Sequence, residues 1–269
     1  MPEPTTDDRP PIDSLISLLG DEDVLVSALA MEELLQRDDQ IDGLLAEHQE
    51  ADDDRLRSRI HQMGNVTRIR REREELITGI RQAQLELWDG ILRINHQYNT
   101  RLNLDAVERL MVDFAGGISR PVSGNRIAQY MVGEGFATAR ENVLGADLYL
   151  ADDVLSQRIG SPILLACIAQ ELGRRVGWSS TIVLYKGKHC LIDAQNNFIE
   201  PAEAWRVSKF TPDVQLHPCA DKDLWLTILC QLYLAAMLEG RVQAIHRVGS
   251  ILATLCDGRF HDLPFPLGC

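Results

Sequence analysis

The sequence of 269 residues lacks any apolar run of about 18 residues, the length that a transmembrane helix needs. Its opening stretch, Met-Pro-Glu-Pro-Thr-Thr-Asp-Asp, lacks the basic and apolar regions of a secretory signal. We therefore expect a cytoplasmic protein without a membrane partner.

The sequence also lacks the common patterns of metal and cofactor sites. Its 6 cysteines form no CxxC pair, and we interpret them as free thiols that lie mostly in the core. His217-Pro-Cys219 offers two metal ligands, but no further pair completes the set. Gly133-Glu-Gly135 resembles the start of a dinucleotide fingerprint, although no clear strand precedes it and Thr138 follows. We expect no metal ion and no cofactor.

Basic residues are scarce, with 27 Lys and Arg against 40 Asp and Glu. Residues 1–64 hold 17 acidic and 5 basic residues, whereas the remainder is almost balanced. A protein that binds nucleic acid in bulk needs a basic face, so the charge argues against a nucleic-acid partner. The one basic cluster, Arg68–Arg73, is interpreted as a solvated helix face that pairs with the acidic segment.

The N-terminal half of the sequence is predicted to be helical. Residues 1–11 are rich in Pro and Asp and are predicted to be disordered, and residues 12–64 have the pattern of an acidic, HEAT-like helical module. Within it, one helix is expected to follow Asp52-Asp-Asp54 and reach Met63. A long helical stretch is then predicted from Val66 to about Tyr98, with possible bends at Gly79 and Gly90. Residues 118–150, rich in glycine, are predicted to be a connecting region.

Residues 152–205 have the pattern of one helix packed on antiparallel strands. Ser161 is a good N-cap, and Pro162 suits the first position of a helix that ends near Gly177. Strands are predicted at 181–185, 188–193 and 198–201, with a turn at 195–197. The predicted fold class is α+β, mostly α.

Residues 223–256 again have helical periodicity, and the size of the predicted hairpin is that of a tetratricopeptide-like unit. A C-terminal tail follows it. The predicted domains are the acidic module at 12–64, a central domain at 65–210 and the C-terminal hairpin with its tail at 211–269.

The order of helix, His-bearing strand and acid-bearing strand is typical of papain-like and transglutaminase-like proteins. There, a nucleophile at a helix N-terminus is activated by a histidine, which a carboxylate orients. Residues 152–165 and 169–177, followed by Gly187-Lys-His189 and Ile199-Glu-Pro201, resemble the bacterial transglutaminase-like "core two" family, which includes invasion-regulator-type proteins. The family shows a "VLxxRxGxPIxL…A..LG" segment, a Gly-x-His strand and an Ile-Asp-Pro strand, together with helical flanking regions. The resemblance implies a papain/transglutaminase-like core.

The resemblance also implies which residues occupy the catalytic positions. Active transglutaminase-like enzymes have a cysteine where this chain has Ser161 or Pro162, and the family's Asp is replaced by Glu200. His189 remains, so the inherited triad positions are Ser161, His189 and Glu200. Neither remaining cysteine nearby is a convincing substitute, because Cys167 is predicted to lie in the core and Cys190 points away from its neighbour His189.

Three functions remain open from the sequence. The favoured one is a non-catalytic transglutaminase-like protein that acts as a protein-interaction or regulatory module with a protein or peptide partner. The alternative is a hydrolase or acyltransferase that uses a Ser161–His189–Glu200 triad. The third is a cleft that still binds a peptide or amide-like ligand without turning it over.

Overall fold

A computed structural model of the protein describes residues 10–139, 144–210 and 216–258, without the side chains of residues 38–40. Most of the predicted disordered tail, residues 1–9, and the predicted C-terminal tail beyond Gly258 lie outside the described residues. The chain divides into two compact units, Met1–Glu74 and Glu75–Cys269. The domain limits given above rest on the sequence alone and stay predictions.

The first unit is helical. Its helices are α1 (Ile12–Leu19), α2 (Val24–Leu35), α3 (Asp38–His48) and the greater part of α4 (Asp54–Arg81). The apolar positions that predicted these helices form a small buried core around Leu19, Leu34 and Met63. Asp23 caps α2 by accepting a hydrogen bond from the Leu25 amide at 2.8 Å, which is why the Asp-rich turn starts a helix there.

The basic cluster lies on α4 within this first unit. Arg71 forms an ion pair with Asp42 of α3, with 2.8 Å between Nη2 and Oδ2. Arg68 pairs with Glu72 one turn along α4, at 2.7 Å. The cluster therefore contributes a solvated helix face with contacts to acidic residues of the same unit.

Helix α4 differs from the sequence prediction, because it runs without a break from Asp54 to Arg81 and does not extend to Tyr98. The chain turns after Arg81, where Ala83 adopts a positive φ of 50°. Leu85 then packs against Gly79, since a Cβ on that glycine would lie 2.7 Å from the Leu85 Cγ. Gly79 thus permits a close contact with the segment that follows the helix end.

The second unit combines helices with a small sheet. Its helices are α5 (Leu87–Tyr98), α6 (Leu104–Gly117), α7 (Gly124–Gly133), α8 (Ala151–Gln157), α9 (Pro162–Arg175), α10 (Asp221–Leu238) and α11 (Val242–Leu255), with short 3-10 helices at Ala146–Leu148 and Pro201–Glu203. Its strands are the parallel pair β1 (Ala137–Thr138) and β2 (Ile159–Gly160), and β3 (Ser180–Tyr185), β4 (Lys188–Asp193), β5 (Asn197–Glu200), β6 (Arg206–Lys209) and β7 (His217–Pro218). The last five form an antiparallel sheet in the order β6-β5-β4-β3-β7.

Helix α9 is the centre of the second unit. Residues 163–169 of this helix are all buried, and it packs on β3 and β4 and contacts α5 and α10. The hairpin of α10 and α11 packs against α5 and shares the same core. The predicted α+β class, mostly α, with a helix on antiparallel strands and a C-terminal helical hairpin, is confirmed.

The prediction that residues 118–150 only connect other elements was wrong at α7. Ser123 caps this helix, and Ile127 and Met131 turn its apolar side into the core. The glycines at both ends, Gly124 and Gly133, obscured the periodicity. Gly135 follows with φ of 82°, so the Gly-x-Gly pair terminates a helix.

The strand register divides the antiparallel sheet into two faces. Leu191 lies opposite Ile182 on β3 and Ile199 on β5, and all three belong to the main core that contains α9. The alternate positions Cys190 and Phe198 belong to a separate apolar cluster on the other face. Side chains two residues apart share a face, so this register decides which polar residues can meet α9.

Candidate functional site

Ser161 lies at the N-terminus of α9, as the sequence predicts. Its backbone is extended, with φ of −70° and ψ of 150°, and its Oγ accepts a hydrogen bond from the Leu164 amide at 3.3 Å. The residue is 4% exposed, and its own amide donates to the Leu148 carbonyl oxygen at 2.9 Å. The hydroxyl therefore caps the helix and is almost closed to solvent.

The segment before Ser161 needs a glycine. A Cβ on Gly160 would lie 2.7 Å from the Val154 Cγ1 of α8. Because this contact joins two buried backbone segments, the glycine lets α8 approach the start of α9. The Gly-x-Pro part of the motif thus has a packing role.

His189 lies on β4, opposite Leu184 of β3. It is two residues from Leu191, so strand alternation places it on the face that packs against α9. The side chain is half-buried, and burial lowers the pKa of the imidazole. Within the part of the chain that the structure describes, neither ring nitrogen makes a hydrogen bond, to Ser161 or to another group.

Glu200 is the last residue of β5 and is 5% exposed. Its Oε2 accepts two hydrogen bonds from Arg206 of β6, from Nε at 2.9 Å and from Nη2 at 2.7 Å. The register of β4 and β5 places Glu200 beside Cys190. Burial, and then the nearby Glu200 charge, raise the pKa of the Cys190 thiol to about 12.

The structure does not bring Glu200 to the His189 ring. Glu200 shares a face with Cys190, and residues 189 and 190 point to opposite faces of the sheet. Ser161 lies at the start of α9, and His189 lies on the sheet face that packs against α9. Arg206 holds Glu200 on the opposite face of the sheet. The catalytic role of the three positions stays a prediction, and their geometry lacks the carboxylate that would orient the histidine.

Asp193 is a buried carboxylate that the sequence reasoning did not single out. Burial opposes its ionisation, but hydrogen bonds from the Asn197 side chain and amide, from the Trp178 indole and from the Gln195 amide together lower the pKa of this carboxyl. It shares a face with His189 but lies four residues along β4, roughly 13 Å away. Asp193 therefore fixes the β4–β5 turn and cannot orient the imidazole. The Asp before a Gln-Asn-Asn turn is the sequence signal for this role.

A second buried carboxylate, Glu171, organises the C-terminal half of α9. It is 5% exposed and accepts hydrogen bonds from Arg174 and from Arg175. Arg175 also binds both oxygens of Glu108 on α6, at 2.6 and 2.8 Å. This network ties α9 to α6.

Cys167 lies in the core, as the sequence predicts. The residue is 1% exposed, and burial strongly raises the pKa of its thiol. Among the described residues, no group of three His, Cys, Asp or Glu side chains is arranged to hold a metal ion. His217, one of the two ligands considered above, lies exposed on β7.

Comparison with known families decides what this core is. Residues 104–209 match the family model of the Transglutaminase-like superfamily, which confirms the predicted transglutaminase-like superfamily for this part of the chain. The chain carries a transglutaminase-like domain.

The transglutaminase-like domain extends from α6 to β6 and includes Ser161, His189 and Glu200. No curated protein and no solved structure matches the chain significantly. Among the described helices, none is both long and apolar enough to span a bilayer.

Proposed function

We propose that this protein is a non-catalytic transglutaminase-like protein that acts as a protein-interaction or regulatory module in the cytoplasm. The observation that carries the proposal is the state of the Ser161 hydroxyl, which is 4% exposed and caps its own helix. The position where active relatives have a cysteine thus performs a structural task.

The surroundings of the predicted triad support this proposal. A serine is a weak nucleophile unless a base removes its proton, and that base needs an orienting partner. Glu200 is occupied by Arg206, and the Asp193 carboxylate is saturated by the turn. The pKa of His189 is lowered by burial, which keeps the imidazole neutral but supplies no partner for it.

The alternative of a hydrolase or acyltransferase requires Ser161 to leave its capping position and reach His189. Losing a serine cap costs only about 1 kcal/mol, so the capping hydrogen bond alone does not prevent Ser161 from moving towards His189. An enzymatic assay separates the two functions. The assay follows hydrolysis of p-nitrophenyl acetate and incorporation of a fluorescent primary amine into casein. We expect wild type, Ser161→Ala and His189→Ala to react at the same background rate.

Ser123→Ala is the matched control, because Ser123 caps α7 in the same way, accepting from the Arg126 amide at 3.4 Å. It loses a cap of similar value without touching the triad positions. A wild-type rate that disappears in Ser161→Ala and His189→Ala but survives in Ser123→Ala would establish the hydrolase and overturn our proposal.

The acidic first unit supports the interaction role. Helix α2 carries an apolar stripe formed by Val24, Leu25 and Leu29, which are 75%, 70% and 59% exposed. Acidic residues flank this stripe at 21–23 and at Glu32. An exposed apolar stripe with a negative rim suits a basic, amphipathic segment of a partner protein.

The interaction is tested by affinity capture with a Leu25→Ser/Leu29→Ser double variant. Leu238→Ser is the control, because Leu238 is 73% exposed but lies at the end of α10. We expect a defined partner with a basic amphipathic segment to be captured by wild type and by the control, to be lost with the double variant, and to bind more weakly as salt rises. Equal capture by all three proteins would refute this surface, and sedimentation of wild type as a salt-sensitive dimer would assign it to a second copy instead.

A further inference from the structure

A cavity of about 520 Å³ lies at the C-terminal half of α9. Its walls come from the start of α5, from α9, from the segment that leads into β3 and from the first residue of α10. The residues that matter for its chemistry are Trp88, Cys167, Glu171, Trp178, Ser180 and Asp221. The predicted triad residues do not line it, so its function is independent of the one proposed above.

Two residues that line this cavity carry a buried hydrogen-bond donor that has no acceptor among the described residues. The donors are the indole Nε1 of Trp88, a residue that is only 4% exposed, and the hydroxyl of Ser180. The other tryptophans do have acceptors: the Asp193 carboxylate for Trp178, the Phe136 carbonyl for Trp205 and the Leu87 carbonyl for Trp225. Because an unpartnered buried donor destabilises the folded state, the exception at Trp88 points to an acceptor that comes from outside the chain.

The cavity is lined by three carboxylates, those of Glu86, Glu171 and Asp221, and by one cation, Arg174. Glu171 is neutralised by Arg174 and Arg175, but Asp221 forms no ion pair with any described residue. Burial raises the pKa of the Asp221 carboxyl, so a neighbouring positive charge would favour its ionised form. The walls also include the rings of Trp88 and Trp178, and indole rings attract cations.

We propose that this cavity binds a small organic ammonium ion that carries a carbonyl oxygen and an apolar body. The ammonium group pairs with Asp221, the carbonyl oxygen accepts from Trp88 Nε1 or Ser180 Oγ, and the apolar body packs on the indole rings. The volume is within the range of ordinary small-molecule sites.

Three matched probes test the proposal by isothermal titration calorimetry on the full chain. Phenylalaninamide has all three groups, 2-phenylethylamine lacks the carboxamide, and 3-phenylpropanamide lacks the ammonium group. We expect phenylalaninamide to bind with a Kd on the order of 1 mM, as its size allows. Each of the other two probes should bind at least about fivefold more weakly.

Substitutions then assign the binding to this cavity. Asp221→Asn should weaken phenylalaninamide about tenfold and abolish its advantage over 3-phenylpropanamide, whereas Asp223→Asn, in the same first turn of α10, should change the Kd less than twofold. Trp88→Phe keeps the ring and removes the donor, so it should weaken phenylalaninamide about fivefold. Ser180→Ala tests the second donor and replaces that measurement if Trp88→Phe does not fold.

Three results would overturn the proposal: no saturable binding of phenylalaninamide, equal binding of all three probes, or equal losses in Asp221→Asn and Asp223→Asn. The first would mean that the two donors are satisfied by water alone. Equal binding of all three probes would mean that neither the ammonium group nor the carboxamide is recognised. Equal losses in Asp221→Asn and Asp223→Asn would place the binding outside this cavity.

Discussion

Gly90 lies in the first turn of α5, where the indole of Trp225 from α10 packs against the helix. A Cβ on Gly90 would overlap the indole, at 2.7 Å from Cζ2 and closer still to Nε1 and Cε2. Trp225 is 2% exposed and donates a hydrogen bond from Nε1 to the Leu87 carbonyl oxygen at 3.0 Å. The indole can move away only by disturbing both the core and this hydrogen bond.

Gly90→Ala should therefore destabilise the second unit, although alanine favours helices. Overpacking costs about 1–3 kcal/mol and a weakened buried hydrogen bond about 1 kcal/mol, while the better helix propensity returns about 1 kcal/mol. The net loss is about 2 kcal/mol, which lowers the Tm by roughly 6 °C in a unit of this size. Thermal unfolding followed by circular dichroism measures the shift.

Gly116→Ala is the matched control, because Gly116 is also helical, in α6, and has nothing within 4 Å of its Cβ position. Without a clash, the gain in helix propensity should raise the Tm by about 2–4 °C. If Gly90→Ala matched or exceeded the stability of Gly116→Ala, Trp225 would not pack on Gly90 and this account of the α5–α10 interface would be wrong.

Three further predictions concern charged groups. Because burial lowers the pKa of His189, its contribution to stability is complete above the ordinary histidine pKa of about 6.5 and is lost as pH falls through the lowered value. The free energy of unfolding in urea should therefore decrease over that pH range more steeply for wild type than for His189→Gln. Equal pH slopes of the two proteins would contradict this. Glu171→Gln should lower the free energy of unfolding in urea by about 2 kcal/mol, because it leaves two arginines without their buried carboxylate. Glu108→Gln, at the exposed end of the network, should cost less than about 1 kcal/mol. A larger loss in Glu108→Gln than in Glu171→Gln would refute the network. Arg71→Gln should speed limited proteolysis of the first unit at low salt only, since its partner Asp42 is exposed and about 1 M salt screens the pair; a salt-independent difference would exclude an electrostatic cause.

The start of α9 could be predicted from the sequence because its signals are local. A serine followed by a proline satisfies two positions of a helix N-terminus, and the apolar residues after Pro162 have no polar side to expose. The strand at 188–193 and the turn that follows it could also be predicted from the sequence, since alternation and turn residues act over a few positions. These signals also carried the family resemblance.

Other elements depended on distant contacts. Helix α7 is short and begins and ends with glycine, so its inward residues Ile127 and Met131 became recognisable only against the sheet and α9. The break after Arg81 likewise depends on Leu85 packing into the space that Gly79 leaves. In both cases the structural role of a glycine depends on atoms from outside its own helix that pack against it.

The sequence by itself determined the capping role of Ser161 and the position of His189 on a strand, because each depends on residue types within one turn or one strand. The transglutaminase-like core was implied by the family resemblance of its motifs. Only the tertiary structure decided that Glu200 faces Arg206 and Cys190 and lies away from the histidine. A strand's neighbours settle its register, and a shift of one residue moves a side chain to the other face of the sheet. The cavity beside Trp88 was equally invisible in the sequence, since its walls come from four segments that meet only in the folded protein.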